Sequence, residues 1–443
     1  MPGLSRRLRS LVADLRPLRE SPPFRRLWIG SSVSNLGGSM TAFALILQTY
    51  QLTRSSLAVG AVGLAQGIPA VAVGLFGGAL ADAVDRRRLV LVTSSSLAVV
   101  SAVFAAQAFA GLRQLWLLYA LAVIQSALQS VDAPARRTFL PHLVPPDRVA
   151  AGVGLNQLSG YVSFLLGPAL AGVITAAAGL KACYLIDAVS FSAALYGVAR
   201  LPAMPRRDRQ GRPSLRAVAE GLSYIRRHRV LLGVLLTDMD AVLFALPVAL
   251  FPALNAERFG GSPETLGLLS TALATGGLLG SALSGPAGRV TRKAHAMLFT
   301  TTCWGAAIAG FGFARTLWLA LALLVVAGAL DTTSVIFRGS VVQAATPDRL
   351  RGRVTAVDYV VGAGVPKLGN FESGAVASFT SPGFSAVSGG LVTVAGALLI
   401  RLALPAMARY QTGSGPDPEN ASDTSLDPGQ PATGPDPAVS PAP

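Results

Sequence analysis

Apolar stretches of roughly 20 residues, each closed by a short polar turn, recur twelve times along the 443-residue chain. Wound as an α-helix, such a stretch crosses about 30 Å of hydrocarbon. The pattern predicts spans at 27–50, 57–81, 89–110, 114–133, 150–177, 182–200, 230–254, 265–285, 294–313, 316–336, 354–378 and 384–405. Three stretches break the rhythm. The first 26 residues are basic and partly amphipathic. Pro202 to Arg229 is polar and Arg-rich, with a short surface helix expected around Leu215 to Arg227. From Gln411 onward Pro, Gly, Asp and Ser dominate without apolar periodicity, so that part cannot bury enough surface to order itself. The expected organisation is a basic segment at 1–26, a six-helix bundle at 27–200, a linker at 201–229, a second bundle at 230–405 and a disordered tail at 406–443.

Composition agrees. The chain is 51% hydrophobic and 13% charged, with a mean hydropathy of +0.53, against about 25% charge in soluble proteins. An all-α polytopic membrane protein of twelve helices, embedded in a lipid bilayer, is expected. Its net charge of +15 would suit nucleic acid, but the arginines fall in loops between spans, which argues against that partner. They fix orientation instead. Arg6 to Arg26, Arg86 to Arg88, Arg136 to Arg148, nine arginines from Arg200 to Arg229, Arg289 to Lys293 and Arg338 to Arg353 lie on one side; Arg54, Arg113, Lys181, Arg258 and Arg315 lie on the other. By the positive-inside rule both termini are cytoplasmic. Met1 to Arg26 is too charged for a cleavable signal peptide. Cys183 and Cys303 lie in spans and read as packing residues. His142, His228 and His295 lie in or near loops, and no spacing suits a metal. No Gly-rich loop precedes Lys-Ser/Thr, so nucleotide drive by this chain is not expected. No catalytic residue and no cofactor is assigned.

The turn after the second span is the most informative motif: Gly77-Gly78-Ala-Leu-Ala-Asp82-Ala-Val-Asp85-Arg86-Arg87-Arg88. A second pattern repeats between the halves. Asp132-Ala-Pro-Ala-Arg-Arg137 precedes Pro146-Asp147-Arg148, and Ile336-Phe337-Arg338 precedes Pro347-Asp348-Arg349, with equal spacing from Arg137 to Asp147 and from Arg338 to Asp348. Gly280 to Arg289 is a degenerate copy of the first motif without its Asp. Helix 5 carries Gly160-Tyr-Val-Ser-Phe-Leu-Leu-Gly167-Pro168-Ala-Leu-Ala171-Gly172. The chain resembles the major facilitator superfamily. Gly78, Asp82 and Arg86 match that family's helix 2–3 signature, although Ala83 and Asp85 depart from it. Gly167, Pro168 and Gly172 resemble the helix 5 motif of its drug:proton antiporters, with Ala171 replacing a glycine. Asn35 to Gly38, Leu246 to Pro252, Thr346 to Val354 and Leu368 to Gly374 look like the enterobactin-exporter-like branch. The resemblance implies two pseudo-symmetric six-helix bundles and a small-molecule substrate bound between them. It also implies a conformational latch, in which Asp82 faces the start of helix 11 and Arg86 pairs with Asp132.

Charges inside spans are expensive and so mark function. Asp240, Asp238, Asp331, Lys367 and Glu372 are the candidates for proton coupling, with Asp240 favoured by its depth; Asp358 and Asp187 are further intramembrane acids. Asn35, Gln48, Gln66, Gln125, Gln129 and Asn156 are candidates for lining a substrate cavity. The expected function is a monomeric secondary-active exporter of small amphipathic molecules, drug-like or siderophore-like, in a bacterial cytoplasmic membrane, driven by protons. An uptake permease is the alternative, followed by a membrane enzyme or sensor. An enzyme should show a clustered acid/base or metal set, and a sensor an added folded domain; the candidates here are scattered singly.

Overall fold

A computed structural model describes residues 14–83, 85–201, 215–282, 285 and 289–410, with the side chains of 75–83, 215–217 and 408 excepted. The described residues are helical and contain no strand, as the membrane requires: hydrocarbon offers backbone groups no partner, so each must be bonded within its own segment. The long helices are α1 (Pro22–Thr53), α2 (Ser56–Ala83), α3 (Arg86–Phe109), α4 (Leu115–Arg137), α5 (Val149–Ala178), α6 (Leu180–Ala199), α7 (Arg229–Phe244), α8 (Pro263–Ala282), α9 (Lys293–Phe313), α10 (Leu317–Ala345), α11 (Arg351–Phe379) and α12 (Pro382–Ala403). A linker helix, Leu215–Arg227, precedes α7. Among the described residues ten segments are long and apolar enough to cross a membrane. α1 and α11 have the length but are more polar.

Local chemistry sets the ends. The Ser21 hydroxyl accepts from Phe24 N–H and Pro22 opens α1; Ser381 and Pro382 repeat the device at α12. Asp85 caps α3 by accepting from Arg88 N–H at 2.9 Å. Gly179, at φ +80°, makes the tight α5–α6 turn, a backbone region that glycine enters without cost. Two expectations need correction. α10 runs nine residues past the predicted 336, to Ala345, because its last turns leave the apolar layer that hydropathy detects. The span at 230–254 is not one helix: α7 stops at Phe244, a 3-10 turn covers Val248–Leu250, and a short helix follows at Phe251–Arg258. Pro247 and Pro252 lack N–H donors and restrict the residues before them. The Ala249 N–H freed at the break donates to the Asn370 side chain of α11 at 3.2 Å.

Packing repeats between two sets of six. α2 packs on α4, α3 on α4, α3 on α6, α1 on α6 and α1 on α5; α8 packs on α10, α9 on α10, α9 on α12, α7 on α12 and α7 on α11. Adding six to each helix number converts the first set into the second, which defines a pseudo-twofold axis between the halves. The two large contacts across that axis, α2 on α11 and α5 on α8, exchange under the same operation.

Both seams are built on small residues. A side-chain carbon at Gly63 would sit 2.8 Å from the Lys367 carbonyl and one at Gly67 2.7 Å from Lys367 Cβ. On the other seam, Gly172 faces the Pro263 carbonyl and Gly267 the Pro168 carbonyl, each at 2.7 Å. Lipid does not drive helices together, so backbone approach at such residues supplies the contact. The α5/α8 seam closes the face farthest from the chain's start, and the α2/α11 seam runs from that face, at Gly60 and Asn370, to Gly74 and Tyr359. At the far face the end of α1, the start of α2 and the 248–258 segment share one apolar cluster of Tyr50, Val59, Ala249 and Ala253. On the near face α5 is open, and positions Gly154 and Gly160 look into free space.

Candidate functional site

Each half holds its own buried charge network in its near part. In the first half Asp132 of α4 is buried and pairs with Arg136 one turn on. Thr93 Oγ1 donates to Asp132 Oδ1 at 2.5 Å and Ser94 Oγ at 3.3 Å. Arg136 also donates to Ser94 Oγ at 2.6 Å and to Ser31 Oγ of α1 at 3.3 Å. In the second half Arg338 of α10 donates to Asp238 Oδ2 of α7 at 2.8 Å and lies 3.1 Å from Asp358 Oδ1 of α11. Asp331 stands two turns away along α10. The two networks lie on corresponding helices of the repeat, α4 and α10, although Arg338 aligns with Arg137 rather than Arg136, and each arginine reaches the first helix of its half, α1 or α7.

The linker helix roofs the second network. Gly221 lies against the Arg353 carbonyl at the start of α11, Glu220 pairs with Arg353 at 3.0 Å, and buried Ile225 borders a cavity of about 20 Å³ beside Arg338 and Asp358. A third polar contact crosses the α2/α11 seam: Lys367 Nζ donates to Gln66 Oε1 at 2.7 Å, while Ser126 of α4 donates to the Gln66 carbonyl at 2.6 Å.

The sequence candidates therefore divide. Asp238 is joined to Arg338, and Lys367 to Gln66. Asp240 faces elsewhere: its carboxylate packs over Gly396 of α12, and its buried Oδ2 makes no hydrogen bond among the described residues. It faces α12 of its own half rather than the boundary of the halves. Glu372 is half-buried on α11. Among the polar neutral residues, Gln48 is tied inside the first half to Gln107 at 3.1 Å and to Tyr184 Oη at 2.8 Å. Gln125 is buried, whereas Asn35, Gln129 and Asn156 are exposed. In the helix 5 motif Gly167 packs on Ser39 of α1 inside the first half, and Pro168 and Gly172 meet α8 across the seam, with the helix unbroken at the proline. The side chains of Gly78 and Asp82 lie outside the described residues. Arg86 is buried at the start of α3, and the partners described for Asp132 are Arg136, Thr93 and Ser94.

Sequence reasoning missed Arg338 as the hub of a charge network, although the repeat spacing singled it out. It also missed Arg136 as the partner of Asp132, and Asn370, for which no signal short of the break in helix 7 existed.

An all-helical polytopic body in two pseudo-symmetric halves, with polar groups buried at their boundary, defines a transporter of the major facilitator superfamily. The chain belongs to the family described as transmembrane secretion effector, which matches residues 12–430, and it is an efflux-type member rather than an enzyme. It is 25% identical over 409 residues to the enterobactin exporter EntS of Shigella boydii serotype 18, covering 91% of this chain and 96% of that one. It is also 25% identical over 274 residues to macrolide efflux protein A of Streptococcus pyogenes, covering 61% and 68% respectively. Among solved structures it shares the fold of the nucleoside transporter NupG, with a TM-score of 0.67, 16% identity and coverage of 88% and 99%. A bacterial homologue of the lysosomal transporter Spinster, inward-facing and unoccupied, superposes with a TM-score of 0.65, 15% identity and coverage of 88% and 96%.

Proposed function

We propose that this protein exports small amphipathic molecules, drug-like or siderophore-like, by alternating access in exchange for protons. It acts as a monomer that crosses a bacterial cytoplasmic membrane twelve times, with both termini in the cytoplasm. The observation that carries the reading is that α5 and α8 meet only in their far part. The α5/α8 seam is closed in its far part, which the arginine distribution makes external, while Gly154 and Gly160 in the near, cytoplasmic part of α5 meet no neighbour and α2 stays packed on α11 from Gly60 to Gly74. Such a shape admits cargo from the cytoplasm, and rocking the halves about the same seams releases it outside. The cargo class is supported by the macrolide and enterobactin exporters to which the chain is similar.

Coupling is assigned to the Arg338 network. One guanidinium serves Asp238 and Asp358, with Asp331 nearby, so the acids there outnumber the base. A site of that kind takes up a proton when exposed to the acidic side and gives it up on the other. Inside-out vesicles with an imposed pH gradient test the reading. Cargo accumulation should follow the gradient and ignore nucleotide. Transport that survives collapse of the gradient and stops on ATP depletion rejects it.

A further inference from the structure

A cavity of about 360 Å³ opens on the far face of the first half, where Gln48 and Gln51 of α1 meet the end of α3 with Arg113 just beyond it, and the α5–α6 turn with Lys181. Glycines keep its mouth clear. Gly111 and Gly179 line it at φ +65° and +80°, and a side-chain carbon on either would meet nothing within 4 Å. Its floor is fixed: Gln48 is buried and accepts from Tyr184 Oη at 2.8 Å and from Gln107 Nε2 at 3.1 Å. Leu52, Leu112 and Leu180 give the wall an apolar part.

The charge at this cavity has one sign. Arg113 and Lys181 make no ion pair among the described residues; the Lys181 ammonium rests over the Phe109 ring, 5.4 Å from its centroid. The half around them has no acid to offer. Residues 27–200 contain five, of which Asp82, Asp85, Asp132 and Asp147 stand toward the near face, and Asp187 is fully buried in α6. A concave site with two cations and no acid focuses a field that attracts an anion. Its position says which anion. α3 and α6 pack on helices of their own half, so the cavity lies away from the boundary along which cargo would pass. Below it these two helices expose Val99, Val103, Leu185 and Val189, apolar faces suited to acyl chains. Trp116, 66% exposed at the start of α4, marks the depth at which lipid headgroups begin. The volume falls within the range of small-molecule sites, about 300–1,000 Å³.

We infer that this cavity binds the headgroup of an anionic phospholipid from the leaflet at the far face, with Arg113 and Lys181 on its phosphate and Gln51 on the polar groups beyond. The lipid ties the ends of α1, α3 and α6 together, independently of the cargo and of the ion that drives transport.

The test uses the purified full-length chain in detergent. Thermal unfolding is followed as phosphatidylglycerol, phosphatidylcholine with the same acyl chains, or inorganic phosphate is added. Phosphatidylglycerol should protect saturably; phosphatidylcholine, whose choline cancels the phosphate charge, and inorganic phosphate should protect far less. Arg113→Gln and Lys181→Gln should each raise the half-saturating phosphatidylglycerol concentration about fivefold, and together about thirtyfold, as expected when basic groups are lost from an anionic lipid contact. Both residues are exposed, so the variants should fold. Neutralising Arg226 and Arg227, exposed on the linker helix at the near face, should leave that concentration unchanged. An unchanged concentration in the Arg113→Gln, Lys181→Gln double variant, or an equal shift from the linker pair, overturns the inference. Equal protection by phosphatidylcholine overturns it as well, and equal protection by inorganic phosphate does so by making the site one for a free anion.

Discussion

The sharpest consequence of the structure is that Arg338 is held by what it neutralises, so removing it should harm the protein mainly through Asp238. The Arg338 and Asp238 side chains are 15% and 11% exposed and meet at 2.8 Å, whereas Asp358 is 44% exposed. An exposed pair contributes about 0–1 kcal/mol, so the Asp358 contact adds little. Breaking a buried pair by deleting one partner costs about 3–5 kcal/mol, mostly as the penalty of an uncompensated charge. Arg338→Gln should therefore destabilise by about 3 kcal/mol, taking the low end because neither group is fully dry. If the penalty is the stranded charge, adding Asp238→Asn should recover most of the loss, and adding Asp358→Asn should recover almost none. Unfolding of wild type, the three single variants and the two double variants in detergent, treated as double-mutant cycles, measures this. Equal rescue by the two asparagines, or an Arg338→Gln protein as stable as wild type, would refute the reasoning.

In the vesicle assay Asp238→Asn should weaken coupling to the pH gradient more than Asp240→Asn does, since Asp240 faces α12 rather than the Arg338 network; the pH dependence of efflux in the two variants decides it. Gly63→Leu should part the α2/α11 seam, because its first side-chain carbon already meets the Lys367 carbonyl, and labelling of a single cysteine at Ser56 from outside should rise severalfold. For the latch implied by the family resemblance, Asp82→Asn and Arg86→Ala should each increase cytoplasmic labelling of single cysteines placed at Ala83 and Thr355; unchanged labelling means there is no latch.

What was legible in the sequence follows from which physics is local. Hydropathy placed the long helices because each must satisfy its own backbone, and Ser21-Pro22 and Ser381-Pro382 announce helix starts by a rule that spans a few residues. The break in helix 7 was not legible as a break: Leu246 to Pro252 is apolar throughout, and the Asn370 side chain that bonds the freed N–H lies on α11. The candidate charges were legible as anomalies, one by one. Their partners were not, because Asp238 and Arg338 are 100 residues apart. A helix that is apolar nearly all round gives no periodicity by which to tell the face of Asp238 from that of Asp240.

The distribution of polar contacts bears on how such a body can rock without coming apart. The ion pairs found in the spans lie within a half: Arg136 with Asp132, and Arg338 with Asp238 and Asp358. The seams instead carry glycines and the neutral-partner contact from Lys367 to Gln66. An interhelical hydrogen bond in a membrane contributes about 0.6–2 kcal/mol, and about 1.4 kcal/mol shifts an equilibrium tenfold. Parting a seam that holds one such bond thus costs an amount that cargo or a proton can supply by preferring one state. Parting a buried ion pair would cost several times more. Charge inside the halves and small residues between them make each half stiff and their boundary soft, which is the mechanical condition for two bundles to exchange one closed face for the other.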